Sequence, residues 1–561
     1  MYVKITKSGP RKYVQLVEAY RDENGRPKQR TIASLGRLEK LSDELQTVID
    51  GLCRITGRTL PDKPEIQFES ARAMGNVWAL SELWSQLGFD QLRKIFRGTR
   101  HSIHIEALIH IMVLNRLAEP DSKLGVLRWL ETVSLPGLQG VENVDHQHLL
   151  RAMDALSDRQ DEVNDTVTGL LRPLVDQDLS VVFYDMTTIR TEGHSEPADD
   201  LRKYGLSKEG CIKQQVMLGI VQTADGLPLH HEVFEGNTAE VSTLMPTLKK
   251  ITERYPVTRI VVVADRGLLS IDNLKELQSV TLPSGLPLEF VLAVPGRRYG
   301  DFKEILEPLQ QSLFAEAAEE VITETKWQDL RLVVAHDPVR AAEQHAARDK
   351  KIAVLEEVAE QLASKLDQQD DGAKSRGRKL SDGGASATLY KKVCEAKLAK
   401  IVKVDLKSSL FCYDVDPVAL QKARLMDGKL LLVTNTTDLS SAGVVARYKS
   451  LADIERGFRV LKTEIEIGPI YHRLPKRIKA HAMICFIALI LHRVMRMRLR
   501  AAGSDYSPER ALEQLERIQH HKAHLNNNPV EGLSTISSEQ LSLLAMLEVK
   551  KPTTTHDLST M

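Results

Sequence analysis

The segment from 178 to 298 constrains the fold of this chain more than any other stretch. Leu179–Tyr184 is a short hydrophobic run that reads as a strand ending in Asp185. Gln214–Gln222 and Leu227–Glu235 read as two more strands, and the dipeptide Asp225–Gly226 between them suits a tight hairpin turn. Val241–Tyr255 has helical spacing, Arg259–Ala264 is a β-branched strand ending in Asp265, Ile271–Gln278 is again helical, and Phe290–Pro295 is a further strand. Three hairpin-connected strands are thus followed by helix, strand, helix and strand. That order demands a mixed sheet with helices on its faces.

The expected fold class is therefore α/β, a ribonuclease-H-like core. At 561 residues the chain is too long for one hydrophobic core. Residues 1–45 read as a small basic β-rich segment, with a turn at Glu23–Gly25. Residues 46–175 read as helical, including Ile103–Leu117, Leu124–Val133 and Gln147–Val175, and are a candidate for binding DNA ends. The core's first part is expected at 176–298. A mixed α+β insertion at 299–440 would interrupt it. There Ile352, Leu355, Ala359, Leu362 and Leu366 are spaced for a coiled-coil arm, and Asp367–Ala387 has linker composition. The second part of the core falls at 441–500 and a helical tail, a candidate dimerisation element, at 501–561.

Charge and cysteines exclude more than they assign. Lys+Arg and Asp+Glu balance at 76 each, so only local charge can indicate a partner. The five cysteines show neither CxxC nor zinc spacing, which argues for a reducing compartment. The N-terminus has no apolar signal core, and the longest apolar run, Ala482–Leu491, is about half a membrane span. A soluble cytoplasmic protein without a membrane partner is expected.

The stretch Tyr448–Lys462 reads as one amphipathic helix. Leu451, Ile454, Phe458 and Leu461 form its apolar stripe, while Tyr448, Glu455, Arg459 and Lys462 lie on an adjoining one. Alone, Glu455 reads equally as a surface glutamate paired with Arg459. With strand-terminal Asp185 and Asp265 it completes a set of three acids. Such hard oxygen ligands suit Mg²⁺ or Mn²⁺, and two such ions support in-line phosphoryl displacement. Either aspartate alone reads as well as a turn or helix cap. A phosphatase nucleophile at Asp185 would need a second aspartate two residues on, where Thr187 stands. No phosphate-binding glycine loop of the GxxxxGK[ST] kind occurs. Residues 471–500 contain no acid and carry His472, Arg473, Arg477 and His481 among their basic groups.

These motifs together resemble a bacterial insertion-sequence transposase of the DDE class, in the group with the YREK signature around the glutamate. Tyr448, Glu455 and Lys462 match that signature in spacing, while Leu451 stands at the arginine position, a departure. YDMTT around Asp185, EVFEGNTAE (Glu232–Glu240), VVVADRG around Asp265 and PIYHRLPKRIKAH (Pro469–His481) extend the resemblance, and the opening hairpin resembles long members of the group. The resemblance implies that Asp185, Asp265 and Glu455 bind two Mg²⁺ or Mn²⁺ ions. It implies that Tyr448, Arg456, Arg459, Lys462, His472, Arg473, Arg477 and His481 contact DNA. Thr187, Asn237, Thr238 and Arg266 would shape the site. The implied reaction is cleavage at terminal inverted repeats and joining of the 3′-hydroxyl ends to target DNA, by a homodimer on paired double-stranded ends. A nuclease of the same fold without strand transfer, or an inactive DNA-binding derivative, are the alternatives.

Overall fold

The structure, a computed structural model, describes residues 1–41, 45–57, 66–97, 104–135, 143–175, 179–193, 200–207, 211–255, 259–264, 271–282, 284–371, 379–525 and 527–553. Two compact units emerge: Met1–Ala71 with His520–Ser534, and Arg72–Gln519 with Thr535–Met561. In the first, β1 (Tyr2–Ser8), β2 (Arg11–Arg21) and β3 (Pro27–Arg37) form an antiparallel meander. Asp22 closes the β2–β3 turn, its Oδ1 accepting from the backbone N–H groups of Asn24 and Arg26 at 3.1 and 2.9 Å. Helices α1 (Leu38–Leu41) and α2 (Leu45–Thr56) and strand β4 (Ile66–Ala73) follow.

The second unit opens with helices α3 (Gly75–Gln86), α4 (Leu92–Ile95), α5 (Ile105–Ala118), α6 (Lys123–Thr132), α7 (His146–Asp158) and α8 (Gln160–Leu171). Helix α5 is apolar on every side and buried accordingly. The stretch Gln147–Val175, read as helical, forms two helices, α7 and α8. The α7 backbone leaves the helical region at Arg159 (φ −117°, ψ 31°).

The central sheet is built from β5 (Leu179–Arg190), β6 (Lys203–Leu206), β7 (Ile212–Thr223), β8 (Pro228–Glu235), β9 (Arg259–Ala264), β10 (Glu289–Ala293), β11 (Val321–Trp327) and β12 (Leu330–His336). After the separate hairpin β13 (Val402–Val404) and β14 (Tyr413–Val415), β15 (Lys429–Thr434) completes it. Its order is β11-β12-β15-β10-β9-β5-β7-β6, with β8 also paired to β7. The pairs β5–β7 and β7–β8 are antiparallel, while β5–β9 and β9–β10 are parallel. Ile260–Val263 and Phe290–Val294 are wholly buried, as continuous apolar runs in central parallel strands should be. The strands β11, β12 and β15, inside the segment read as an insertion, extend this same sheet.

One strand corrects its sequence reading in a way that matters. β5 does not stop before Asp185 but runs on to Arg190, because residues 185–190 continue to pair with β7. Among the described residues, the parallel ladder with β9 reaches Tyr184, opposite Ala264.

Helices α9 (Glu240–Arg254) and α10 (Ile271–Ser279) connect the core strands, and α11 (Lys303–Leu309) follows β10. In the arm, α12 (Pro338–Asp370) buries Ile352, Leu355, Ala359 and Leu362 against Ala385, Leu389 and Val393 of α13 (Asp382–Glu395), forming a core of its own. Most of the expected linker is thereby corrected: Ser381 caps α13 inside it, its Oγ accepting from Gly384 N, and residues 372–378 lie outside the described residues. Helix α14 (Pro417–Met426) leads back to the sheet.

Tyr448–Lys462 is not one helix but two, α15 (Ser441–Lys449) and α16 (Ala452–Thr463). Ser450 Oγ donates to the Ala446 carbonyl at 3.0 Å, and Leu451 N bonds back only three residues, to Tyr448 O. Such serine back-bonding bends helices. Helix α17 (Pro475–Ala501) has the length and apolarity to cross a membrane, yet 94% of that window is buried inside the protein. Helices α18 (Pro508–Glu516) and α19 (Ser538–Met546) fit the helical tail, but between them a hairpin, β16 (Gln519–Leu525) and β17 (Asn528–Leu533), joins β4 in a three-stranded sheet. These three strands have few alternating apolar residues, so periodicity does not mark them.

Candidate active site

The two faces of β5 define where Asp185 points. Tyr184 Oη hydrogen-bonds Thr243 Oγ1 at 2.6 Å, and that hydroxyl donates to Met186 Sδ at 2.9 Å, so even-numbered residues here meet α9. Asp185 therefore faces the opposite side, with Ile189. A Cβ added to Gly468, in the connection after α16, would stand 2.9 Å from Ile189 Cγ2, so that connection covers the Asp185 side.

Helix α16 approaches the same side. Asp185 is opposite Ile220 of β7, and Gln222 lies two residues along on the same face. A Cβ on Gly457 of α16 would stand 3.3 Å from Gln222 Oε1 and 3.0 Å from Arg493 Nη2 of α17. At its other end α16 places Lys462 in a cavity of about 250 Å³ with Thr188, Ile189 and Arg190. Between those anchors α16 passes along the part of β5 that holds Asp185.

Asp185 is half-buried, and its Oδ1 accepts from the Met186 N–H at 2.7 Å. Tyr184 is in parallel register with Ala264, and in the sequence an aspartate follows each of them, Asp185 and Asp265. Asp265 and Arg266 themselves lie outside the described residues. For Glu455 the backbone is described, in α16 two residues before Gly457. Arg456 is half-buried, Arg459 exposed and Lys462 half-buried, and Phe458 and Leu461 fill the core. Tyr448 stands half-buried on α15, on the other side of the helix break.

The remaining candidates fall in different places. Thr187 is buried on β5. Exposed Asn237 and half-buried Thr238 follow Gly236, whose carbonyl accepts from Gln215 Nε2 at 2.9 Å. Gln215 is opposite Arg190, five residues past Asp185 and thus about 16 Å along the strand. That loop is not beside Asp185. Arg477 forms a bidentate pair with Asp154 of α7, both bonds 2.8 Å. His481 is buried and its Nε2 contacts the Ile467 carbonyl at 2.9 Å. Exposed Arg473 and buried Arg202 flank Gly193, each 3.7 Å from where a Cβ would lie. Burial first, and then Lys123 and Arg477, push the His472 imidazole down to about 4.

The segment after β5 is stitched to the connection between α16 and α17. Ile470 N donates to the Arg190 carbonyl, and Glu192 N to the Ile470 carbonyl, both at 2.9 Å. Sequence reasoning missed three residues of this neighbourhood: Arg116, Lys123 and Arg202. Arg116 lies in the last turn of the strongly apolar α5, which was an available signal; Lys123 and Arg202 had none in a single sequence. A separate cluster joins Glu464, His492 and Glu509 at the C-terminal end of α16. His492 Nε2 hydrogen-bonds Glu509 and lies 3.2 Å from Glu464 Oε2, so the group ties the end of α16 to α17 and α18.

The mixed sheet thus carries Asp185 one residue past the Tyr184–Ala264 pair of the parallel β5–β9 ladder, on the face that α16 crosses. Residues 176–491 match the model of the transposase DDE domain, more than half the chain, so the chain belongs to the DDE transposases and is a DNA transposase. Residues 3–64 match the N-terminal domain of IS1634 family transposases, which makes it an IS1634-family DDE transposase. No curated protein matches. Among solved structures, the piggyBac transposase synaptic complex with hairpin DNA aligns over 79% of this chain and 78% of that one, at 10% identity and a TM-score of 0.37. The Drosophila P element transposase strand transfer complex aligns over 76% and 90%, at 14% identity and a TM-score of 0.17. Both scores are too low to argue a shared fold.

Proposed function

We propose that this transposase cleaves DNA at the terminal inverted repeats of its insertion sequence and joins the freed 3′-hydroxyls to target DNA, with Asp185, Asp265 and Glu455 as its metal-binding acids. The observation that carries the reading is the placement of α16 over the face of β5 that bears Asp185, through Gly457 against Gln222. The core is ribonuclease-H-like in this reading, supported by three antiparallel strands followed by two parallel ones in the order β8-β7-β5-β9-β10.

The donor set fits a hard divalent cation. Asp185 is half-buried on the face α16 covers, and carboxylate oxygens are the ligands that Mg²⁺ and Mn²⁺ prefer. A pair of such ions would supply activation of the attacking oxygen and stabilisation of the leaving one. The chain's own contribution is position. The β5–β9 ladder holds the residues just before the two aspartates, Tyr184 and Ala264, in register, and Gly457 allows the glutamate's helix to approach. Arg459 and Lys462, one and about two turns beyond Glu455, offer cations to the DNA backbone. Tyr448, Arg456, His472 and Arg473 are further DNA contacts in this reading, and the working form is a homodimer on paired ends.

The test is a cleavage and joining assay with Mg²⁺ or Mn²⁺ on DNA carrying the element's ends. Joined products from the wild type, lost in Asp185→Asn and Glu455→Gln while end binding persists, are expected. Cutting without joining would mean a nuclease, and unchanged variants would mean other carboxylates.

A further inference from the structure

A cavity of about 740 Å³ opens between the α5–α6 loop and the α16–α17 connection, and Asp185 is not among its lining residues. Its lining is basic on balance: Arg116, Lys123, Arg473 and Arg477 outnumber the acids Asp121 and exposed Glu466. Two of these cations already have partners elsewhere. Arg477 is held by Asp154, and the Arg116 Nη1 reaches the carbonyls of Ile465 and Glu466 at 3.3 and 3.2 Å. The acid on the same loop, Asp121, turns to Arg128 at 3.3 Å and to the Ser122 N–H at 2.6 Å.

Lys123 is the anomaly. Its side chain is only 5% exposed, lines the cavity, and makes no hydrogen bond or ion pair among the described residues. It is also the first residue of α6, after the cap Ser122, where the helix dipole disfavours a cation. Arg116, its charged neighbour, is 4% exposed and leaves its Nε without a partner. The buried like charges of Lys123 and Arg116 are unfavourable together, and a bound anion relieves both.

We propose that this cavity is a phosphate-binding site, with Lys123 and Arg116 holding the oxyanion and exposed Arg473 at its mouth, and that the phosphate it takes is one of a DNA strand bound by the transposase. Burial first, and then Arg116, lower the Lys123 ammonium to about 7, a cost that an anion beside it offsets. The cavity shares Gly468 and Pro469 with the smaller one that holds Lys462, so a strand running past Lys462 meets it without a break in the wall.

The test compares the full chain with Lys123→Met and Lys123→Arg. Removing an uncompensated buried cation should leave the melting temperature unchanged or raised, which checks folding. A duplex carrying the element's end, titrated at several salt concentrations, should bind Lys123→Met about tenfold more weakly, with a salt slope smaller by about one. Lys123→Arg should recover most of both. Inorganic phosphate should raise the melting temperature of the wild type and not of Lys123→Met. If phosphate stabilisation is lost while DNA binding is unchanged, the strand assignment is overturned in favour of a free phosphate. Equal DNA binding, salt slope and phosphate response in wild type and Lys123→Met overturn the site. Either failure leaves the role of the acids to be judged separately by cleavage.

Discussion

Gly457 of α16 lies so close to Gln222 of β7 that a Cβ would sit 3.3 Å from its Oε1, with Arg493 Nη2 at 3.0 Å on the other side. Any side chain here must displace one of these groups or lift the helix that carries Glu455. Both crowding atoms end flexible side chains, so Gly457→Ala should be nearly neutral in stability, the gain in helix propensity of about 1 kcal/mol offsetting the crowding. Gly457→Val exceeds that room. It should keep the fold by circular dichroism and lose DNA cleavage about tenfold or more. Full cleavage by the valine variant would show that the approach of α16 is not required.

His492 predicts a pH dependence. Burial lowers its imidazolium pKa, but hydrogen bonds to Glu464 and Glu509 override that and hold it above the ordinary 6.5. A raised folded value stabilises fully below the unfolded value and is lost as pH rises through the folded one. For Glu509, burial opposes ionisation, yet hydrogen bonds to His492 and Glu464 keep it well below the usual range. Its contribution is therefore present above about 4.5 and lost as pH falls. The melting temperature should drop by roughly 1–3 °C as pH rises from about 6 to about 9. His492→Gln should flatten that change; an identical profile in the variant would show that another group sets it.

How much of this was legible in the sequence depended on burial. The core strands β7, β8, β9 and β10 and helix α9 came out within a residue or two, because central strands are continuous apolar runs and a turn glycine marks the hairpin. Asp185 stood out in the sequence, but the extent of its strand did not, since Asp185, Thr187, Thr188 and Arg190 break the apolar run while still pairing with β7. Strand β4 depends on a partner distant in sequence, β16, and the β16–β17 hairpin has too few alternating apolar residues for periodicity to mark it. The same holds for charges. Arg477 looked like a DNA contact in a basic run, and only the fold brings Asp154 to it from α7.

That pair makes a direct comparison possible. Arg477 and Asp154 are part-exposed, so their coupling in a double-mutant cycle should be about 1 kcal/mol. If Arg477 serves only to pin α17 to α7, Arg477→Ala and Asp154→Ala should weaken stability alike and leave DNA affinity unchanged. A loss of affinity in Arg477→Ala that Asp154→Ala does not share would make the arginine a DNA contact as well.

The central claim is that Asp185 and its two partner acids bind the catalytic ions, and a ligand swap tests it most directly. A thiolate suits Mg²⁺ poorly and softer Mn²⁺ better. Strand joining by Asp185→Cys, measured in each metal against wild type, should therefore be lost in Mg²⁺ and recovered at least about tenfold in Mn²⁺. Equal activity of the variant in both metals, or equal loss in both with end binding intact, would contradict the assignment of Asp185 as a metal ligand.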